Sequence, residues 1–356
     1  MTRDRLLVTG GAGFIGSAVV RRAVRLGHHV LNLDKLTYAG SLSTVAEVAD
    51  DPKYQHVHGD VADRSLVRAV FERFRPTAVL HLAAESHVDR SIDGPAPFIE
   101  TNIVGTFVLL DEALAYFRSL RGEEAEHFRF LHVSTDEVFG SLGPEGQFDE
   151  LSPHRPNSPY SASKAAGDHL ARAWFHTYGL PVIVTNCTNN YGPFQFPEKL
   201  IPLVILRALD DRPLPVYGRG ENVRDWLYVE DHVDALLLAL RNGRPGETYA
   251  LGGREERRNI EVVRELCRIL DVLAPSQSVS DRTRLIEFVS DRPGHDYHYA
   301  MDISKAEREL GWTPKESFES GLTRTVRWYL ANREWCERVQ RSGDYAGDRL
   351  GMAART

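Results

Sequence analysis

The sequence predicts an α/β chain built on a doubly wound parallel sheet, followed by a smaller, loop-rich C-terminal domain. Three observations carry this. Short, near-continuously apolar runs alternate with helix-spaced stretches as far as residue 186. A glycine-rich turn follows the first run directly. From about residue 187 prolines break the pattern. Strands apolar on both faces mean a sheet covered by helices on both sides, which is the parallel, doubly wound case.

The predicted strands are 5–9, 29–33, 54–58, 78–82, 130–134 and 182–186, and the helices 15–26, 64–74, 98–117 and 159–178. Pro193, Pro197, Pro202, Pro213 and Pro215 mark 187–224 as loop-rich. Residues 225–240 read as ordered again and returning to the first domain. The expected division is 1–186, joined again by 225–250, as one domain, with 187–224 and 251–340 as the other. The Gly- and Arg-rich residues 341–356 read as a loose tail.

Composition narrows the class. Of 356 residues, 42% are hydrophobic, enough for one large core or two abutting ones. A net charge of −7 argues against a general nucleic-acid binder. No apolar run is long enough to span a membrane, and the first residues enter a strand at once, so no signal peptide is expected. Cys187, Cys267 and Cys336 are too few and too scattered for a disulfide framework or a zinc site. With no leader or span, a cytoplasmic protein is expected. The 37 Arg against 6 Lys carry no functional reading.

Residues 8–16 read VTGGAGFIG. Gly11, Gly13 and Gly16 satisfy G-x-G-x-x-G, and Gly10, Gly13 and Gly16 the related G-x-x-G-x-x-G. Glycines there allow a tight turn, close approach of backbone N–H groups to a pyrophosphate, and close packing of helix on strand. Between a strand and a helix, the turn is the dinucleotide site of a Rossmann fold. Asp34 ends the second strand, 18 residues past Gly16. A carboxylate there accepts from both ribose hydroxyls and repels a 2′-phosphate, so NAD is expected rather than NADP. The neighbouring Lys35 would soften that repulsion.

Tyr160 and Lys164, four apart on a predicted helix, share one face. The ammonium is expected to lower the tyrosine pKa toward working pH, making it a base. Ser134 and Thr135 end a middle strand, where ligands of doubly wound folds lie. Asp136 and Glu137 follow, adding two carboxyl groups. A dehydration needs both an acid and a base, whereas a simple epimerisation leaves them idle. Standing alone, the pair also suits a turn cap and a solvated acid.

These elements resemble the extended short-chain dehydrogenase/reductase superfamily acting on nucleotide sugars. Within it the sequence is similar to the dTDP-glucose 4,6-dehydratase family over nearly the whole chain. The matching segments are TGGAGFIGS, LDKLTYAG, HLAAESHVDRSI, STDEV, SPYSASKAA, NNYGPFQFPEKLIPL, LPVYG, RDWLYVEDH and DRPGHD. The resemblance implies C4 oxidation begun by Tyr160 with Lys164 and Thr135 in support, C5 deprotonation by Glu137, and protonation of the departing C6 hydroxyl by Asp136. Hydride then returns to C6, so NAD stays bound and is regenerated. It implies cofactor contacts from Gly10, Gly13, Phe14, Ile15, Gly16, Asp34, Lys35, Leu36, Thr37, Asp60, Val61, Leu82, Ala83, Ala84, Thr101, Tyr160, Lys164 and Asn190. Around the nucleotide diphosphate it implies Ser86, Thr135, Asn189, Lys199, Leu200, Pro215, Val216, Tyr217, Arg224, Asn259, Arg292 and His295. Arg224 and Arg292 offer planar forks to phosphate oxygens; the alternative for Arg224 is an ion pair with Asp225.

Phe139, Thr188 and Phe194 depart from the family's usual residues without removing a catalytic group. His81, His87 and His295 lack ligand spacing, so no metal is expected. The resemblance also implies a homodimer built from the helices near 98–117 and 159–178. A nucleotide-sugar 4-epimerase and an NAD-sensing module are the competing functions; an intact Tyr-x-x-x-Lys argues against the second.

Overall fold

The computed structural model describes residues 4–343. The first strands are β1 (Arg5–Thr9), β2 (His29–Asp34), β3 (Tyr54–His58), β4 (Ala78–His81), β5 (Arg129–Thr135) and β6 (Val182–Cys187). Together with a later strand, β10 (Thr248–Leu251), they form a seven-stranded sheet in the order β10-β6-β5-β4-β1-β2-β3. Every pairing in it is parallel. Strand order reverses between β1 and β4, so the loops after these two strands diverge and leave a crevice at the carboxyl edge.

Side-chain alternation fills both faces. Leu6, Val8, Val30, Leu80, Leu131, Val133 and Ile183 pack on one side with the helices Phe14–Arg25 and Val229–Asn242. Leu7, Leu31, Val79, Phe130, Val182 and Val184 pack on the other with Arg64–Phe74, Thr106–Ser119 and Pro159–Tyr178. The strand β3, at the sheet edge, has no fully buried residue along its length. Among the described residues no helix is long and apolar enough to cross a membrane.

A second buried cluster lies in the C-terminal half. Ile201, Val204, Ile205, Val262, Val263, Leu266, Leu270, Leu322 and Val326 form it, from the helices Leu200–Leu209, Asn259–Leu273 and Phe318–Ala331. Small sheets flank it. The strands β7 (Asn189–Tyr191) and β11 (Glu256–Arg258) pair with β9 (Val223–Tyr228), and β8 (Leu214–Tyr217) pairs with β12 (Ile286–Val289).

Three segments refine the expectation. The loop-rich residues 187–224 also hold a helix, Leu200–Leu209, with Pro202 in its first turn, where its missing N–H costs nothing. The helix expected over 98–117 is interrupted by a π-helical segment, Ile99–Gly105. The wider turn brings the Asn102 amide onto the Glu85 carbonyl (3.0 Å) and Ser163 Oγ (2.8 Å). The helix Arg333–Ser342 runs into the start of the predicted tail, whose residues 344–356 lie outside the described ones.

Candidate active site

The glycine turn sits at the switch point. Gly10 has φ +71°, and a Cβ there would press on the backbone of Ala83, just past the end of β4. A Cβ on Gly16 would collide with the Gly10 carbonyl. The helix Phe14–Arg25 begins at Gly13 with no side-chain cap and no acidic residue in its first turn. Its positive end is thus open to an anion. The Asp34 carboxylate accepts from the Ala12 N–H (2.8 Å) and the Leu36 N–H (2.8 Å), which braces the turn against the end of β2. Lys35 is engaged with Asp60 at 2.5 Å. A cradle a Cβ would fill, an uncapped helix start and a carboxylate at the next strand end together fit a dinucleotide.

One cavity runs from this turn along the carboxyl edge of the sheet. All the predicted cofactor residues line it except Leu36, whose backbone turns to φ +54° to meet Asp34. A second cavity is lined by Leu200, Pro215, Val216, Tyr217, Arg224, Asn259, Arg292 and His295. The two share Glu137, Asn189, Glu198 and Lys199, so they are continuous where the cofactor and sugar sites would meet. Ser86 and Thr135 line the first.

At that junction β5 ends in Thr135, whose hydroxyl donates to Asp136 Oδ1 (3.1 Å) and accepts from the Glu137 N–H (3.3 Å). Burial pushes the Asp136 carboxyl well above the usual carboxylate range, and the neighbouring Glu137 raises it further. Glu137 is also raised by burial, but Arg292, Lys199 and Arg224 pull against the rise. The two carboxyls therefore sit in different fields, Asp136 biased toward the protonated form and Glu137 flanked by cations.

Lys164 donates to the Val133 carbonyl at 2.8 Å. The expected depression of the Tyr160 pKa is not found in the protein chain itself. Burial raises the phenol well above its ordinary value, Glu137 adds to the rise, and Thr135 opposes it by hydrogen bonding. The sequence pattern reports the i, i+4 ammonium but not the depth of burial, and burial wins.

Charged pairs organise the second cavity. Asp89 bridges it, accepting from Arg292 Nη1 (2.9 Å) and the Tyr217 hydroxyl (2.8 Å). Lys199 Nζ donates to the Ser86 carbonyl (3.0 Å). Arg224 makes no local ion pair with Asp225. It lies over the Tyr299 ring and donates to the carbonyls of Val223, Asp296 and Tyr297, while Asp225 accepts from the N–H groups of Gly253 and Glu255. Arg292 Nε and Asn189 Oδ1 are buried without a hydrogen-bond partner among the described residues. Such groups are costly unless a ligand satisfies them.

The histidines have local duties. His81 bonds Thr9 (2.8 Å) and Thr106 (2.9 Å), and His87 caps the helix Val88–Asp93. Burial and the guanidinium groups of Arg292 and Arg224 bring His295 down to about 4, although Asp291 opposes this. Among the described residues no three His, Cys, Asp or Glu side chains gather as a metal site.

Sequence reading missed Asp89, Arg90 and Glu198. Arg90 Nε meets Glu198 Oε2 at 2.9 Å, and Tyr38 donates to Glu198 Oε1 at 2.9 Å. These acids stand inside recognised segments, HVDRSI and FPEKL, but Asp89 and Arg292 are 203 residues apart. No spacing rule pairs them.

The family model for GDP-mannose 4,6 dehydratase matches residues 7–325. A dTDP-glucose 4,6-dehydratase of Neisseria meningitidis serogroup B is 57% identical, covering 98% of this chain and 99% of its own. One from Escherichia coli is 54% identical with the same coverage. A solved dTDP-glucose 4,6-dehydratase from Streptomyces venezuelae, with NAD bound, superposes with TM-score 0.85 at 47% identity, covering 94% of this chain and 99% of that one. With the glycine turn, the Tyr160–Lys164 pair and the Asp136–Glu137 pair in one continuous cleft, the chain belongs to the nucleotide-sugar 4,6-dehydratase family, in its dTDP-glucose branch.

Proposed function

We propose that this chain converts dTDP-glucose to dTDP-4-keto-6-deoxy-glucose, as the first committed step of deoxysugar synthesis. The observation that carries the reading is the unequal carboxyl pair at the end of β5, beside Tyr160. Bound NAD supplies a hydride acceptor at C4 and a donor at C6, so it is regenerated in each turnover.

Tyr160 takes the proton of the C4 hydroxyl while Thr135 hydrogen-bonds the oxygen and Lys164 supports the ribose. The C5 proton then lies α to a ketone and is acidic enough for Glu137 to remove. The C6 hydroxyl is a poor leaving group, and Asp136 protonates it as it departs. Burial raises both carboxyls, but Asp136 is raised the further, while Arg292, Lys199 and Arg224 hold Glu137 back; that inequality supports this division of labour. Arg292, with its unpartnered Nε, and Lys199 suit the diphosphate.

Residues 1–186 with 225–250 hold the cofactor in this reading, and 187–224 with 251–340 the nucleotide sugar. A homodimer through the helices near 98–117 and 159–178 is supported by Ile99, Phe107 and Tyr178, large apolar side chains left 46, 37 and 47% exposed there. Three buried free thiols suit a reducing cytoplasm.

The test is product analysis after incubating the purified protein with dTDP-glucose and no added NAD. A product lighter by one water and carrying a 4-keto group is expected. Unchanged mass with inverted C4 would instead make the chain an epimerase and leave Asp136 and Glu137 without these roles.

A further inference from the structure

We propose that Asp168 is a positioning residue: through Asn186 and His132 it locks the helix carrying Tyr160 and Lys164 to the strand end carrying Thr135, and it is the counter-charge of Lys164. The role rests on the catalytic reading of Tyr160 and Lys164.

Tyr160, Lys164 and Asp168 fall at i, i+4 and i+8 on Pro159–Tyr178, so they follow one another down a single face. Asp168 is 1% exposed, and a carboxylate so deep is costly unless its oxygens are engaged. One oxygen accepts from Asn186 Nδ2 at 3.0 Å; the other is in close contact with His132 Nε2 at 3.1 Å but accepts no aligned hydrogen bond. The same Asn186 amide donates to the Thr135 carbonyl at 3.0 Å, so one side chain on β6 joins the carboxylate to the residue that precedes Asp136 and Glu137. Helix and strand are in close contact here. A Cβ on Gly167 would stand 3.2 Å from the His132 ring, tighter than ordinary packing.

The charge has a second use. Burial disfavours the Lys164 ammonium, and Asp168 is first among the groups that favour it, with Cys187 the other. Around Asp168 the titratable neighbours are His132 from β5, Lys164 and His169 on its own helix, and His154 from the preceding loop, 3.9 Å away. Burial holds His132 and His154 below their ordinary range, so Lys164 is the cation that balances the carboxylate.

Two substitutions separate the uses. Asp168→Asn keeps an acceptor for Asn186 and removes the charge. Asn186→Ser keeps the charge and cuts the link to Thr135. For Asp168→Asn the expected result is kcat reduced at least about tenfold with KM within about threefold. The alkaline limb of kcat against pH also moves to lower pH, because a buried Lys164 without its counter-charge loses its proton earlier. Asn186→Ser lowers kcat with the limb unmoved. Tyr160→Phe serves as the control: an active parent and an inactive control uphold the catalytic reading independently of Asp168. Superimposable pH profiles for Asp168→Asn and parent, or kcat of Asn186→Ser within twofold of parent, overturn the proposal. If Asp168→Asn does not fold, the Asn186→Ser turnover alone decides. A parent that dehydrates no nucleotide sugar overturns the functional reading and this role with it.

Discussion

The two halves of the cleft are built from different materials. The cofactor half is shaped mainly by backbone: a glycine turn seated against Ala83, a helix start without a cap, and a carboxylate at the end of β2 bracing both. The nucleotide-sugar half is held mainly by charged side chains drawn from segments far apart in sequence, with Asp89 on Arg292 and Tyr217, Arg90 on Glu198, and Lys199 on Ser86. A half shaped by backbone is sensitive above all to added volume. The ion-paired half should behave the other way round.

Where the halves meet, the largest loss is expected. Glu137→Gln removes the proposed C5 base without changing shape and should lower kcat by about 10²–10⁴-fold, the usual worth of a general base; steady-state turnover of dTDP-glucose measures it. Gly16→Ala adds a single methyl against the Gly10 carbonyl. Overpacking of this kind costs about 1–3 kcal/mol, or roughly 5–150-fold in cofactor affinity. Calorimetric titration of cofactor-stripped protein with NAD reads it, and an unchanged affinity would break the comparison on the backbone side. Asp89→Asn keeps the size and removes the charge, and should raise KM for the nucleotide sugar about tenfold with kcat within about threefold. A loss confined to kcat would break it on the charged side.

The last effect is read in stability rather than catalysis and probes the exception, a histidine supporting the cofactor half. His232 is fully buried, bonds Asn190 Oδ1 at 2.9 Å, and is brought by burial down to about 3. Its folded pKa lies below the unfolded value of about 6.5, so the unfolded chain binds more protons between those limits. Its contribution to stability is therefore complete above pH 6.5 and is lost as pH falls toward 3, at about 1.4 kcal/mol per pH unit. Thermal melts across that range should show a shallower fall for His232→Asn than for the parent.

The comparison also explains what the sequence could and could not reveal. Strand periodicity, the glycine spacing and the Tyr160–Lys164 pair are local, and each was legible because neighbours in sequence are neighbours in space. The π-helical turn at 99–105 was not, since it depends on Asn102 reaching Glu85 and Ser163 across the fold. Asp89 and Glu198 were visible as residues but not as clasps, because their partners lie on other loops. Asp168 was two helical turns from Tyr160 and still went unread, since its meaning depends on Asn186 and His132 from other strands. The Tyr160 pKa was misjudged for a related reason. A spacing rule reports which charge is near, and only the fold reports how much water has gone.

The central claim is that oxidation at C4 and reduction at C6 belong to one turnover on a cofactor that never leaves. The direct test is dTDP-glucose carrying deuterium at C4, incubated with the purified protein and no added NAD, with the product read by NMR and mass spectrometry. The account predicts loss of water with the deuterium relocated to C6. A dehydrated product with no deuterium at C6, or deuterium still at C4, would contradict it.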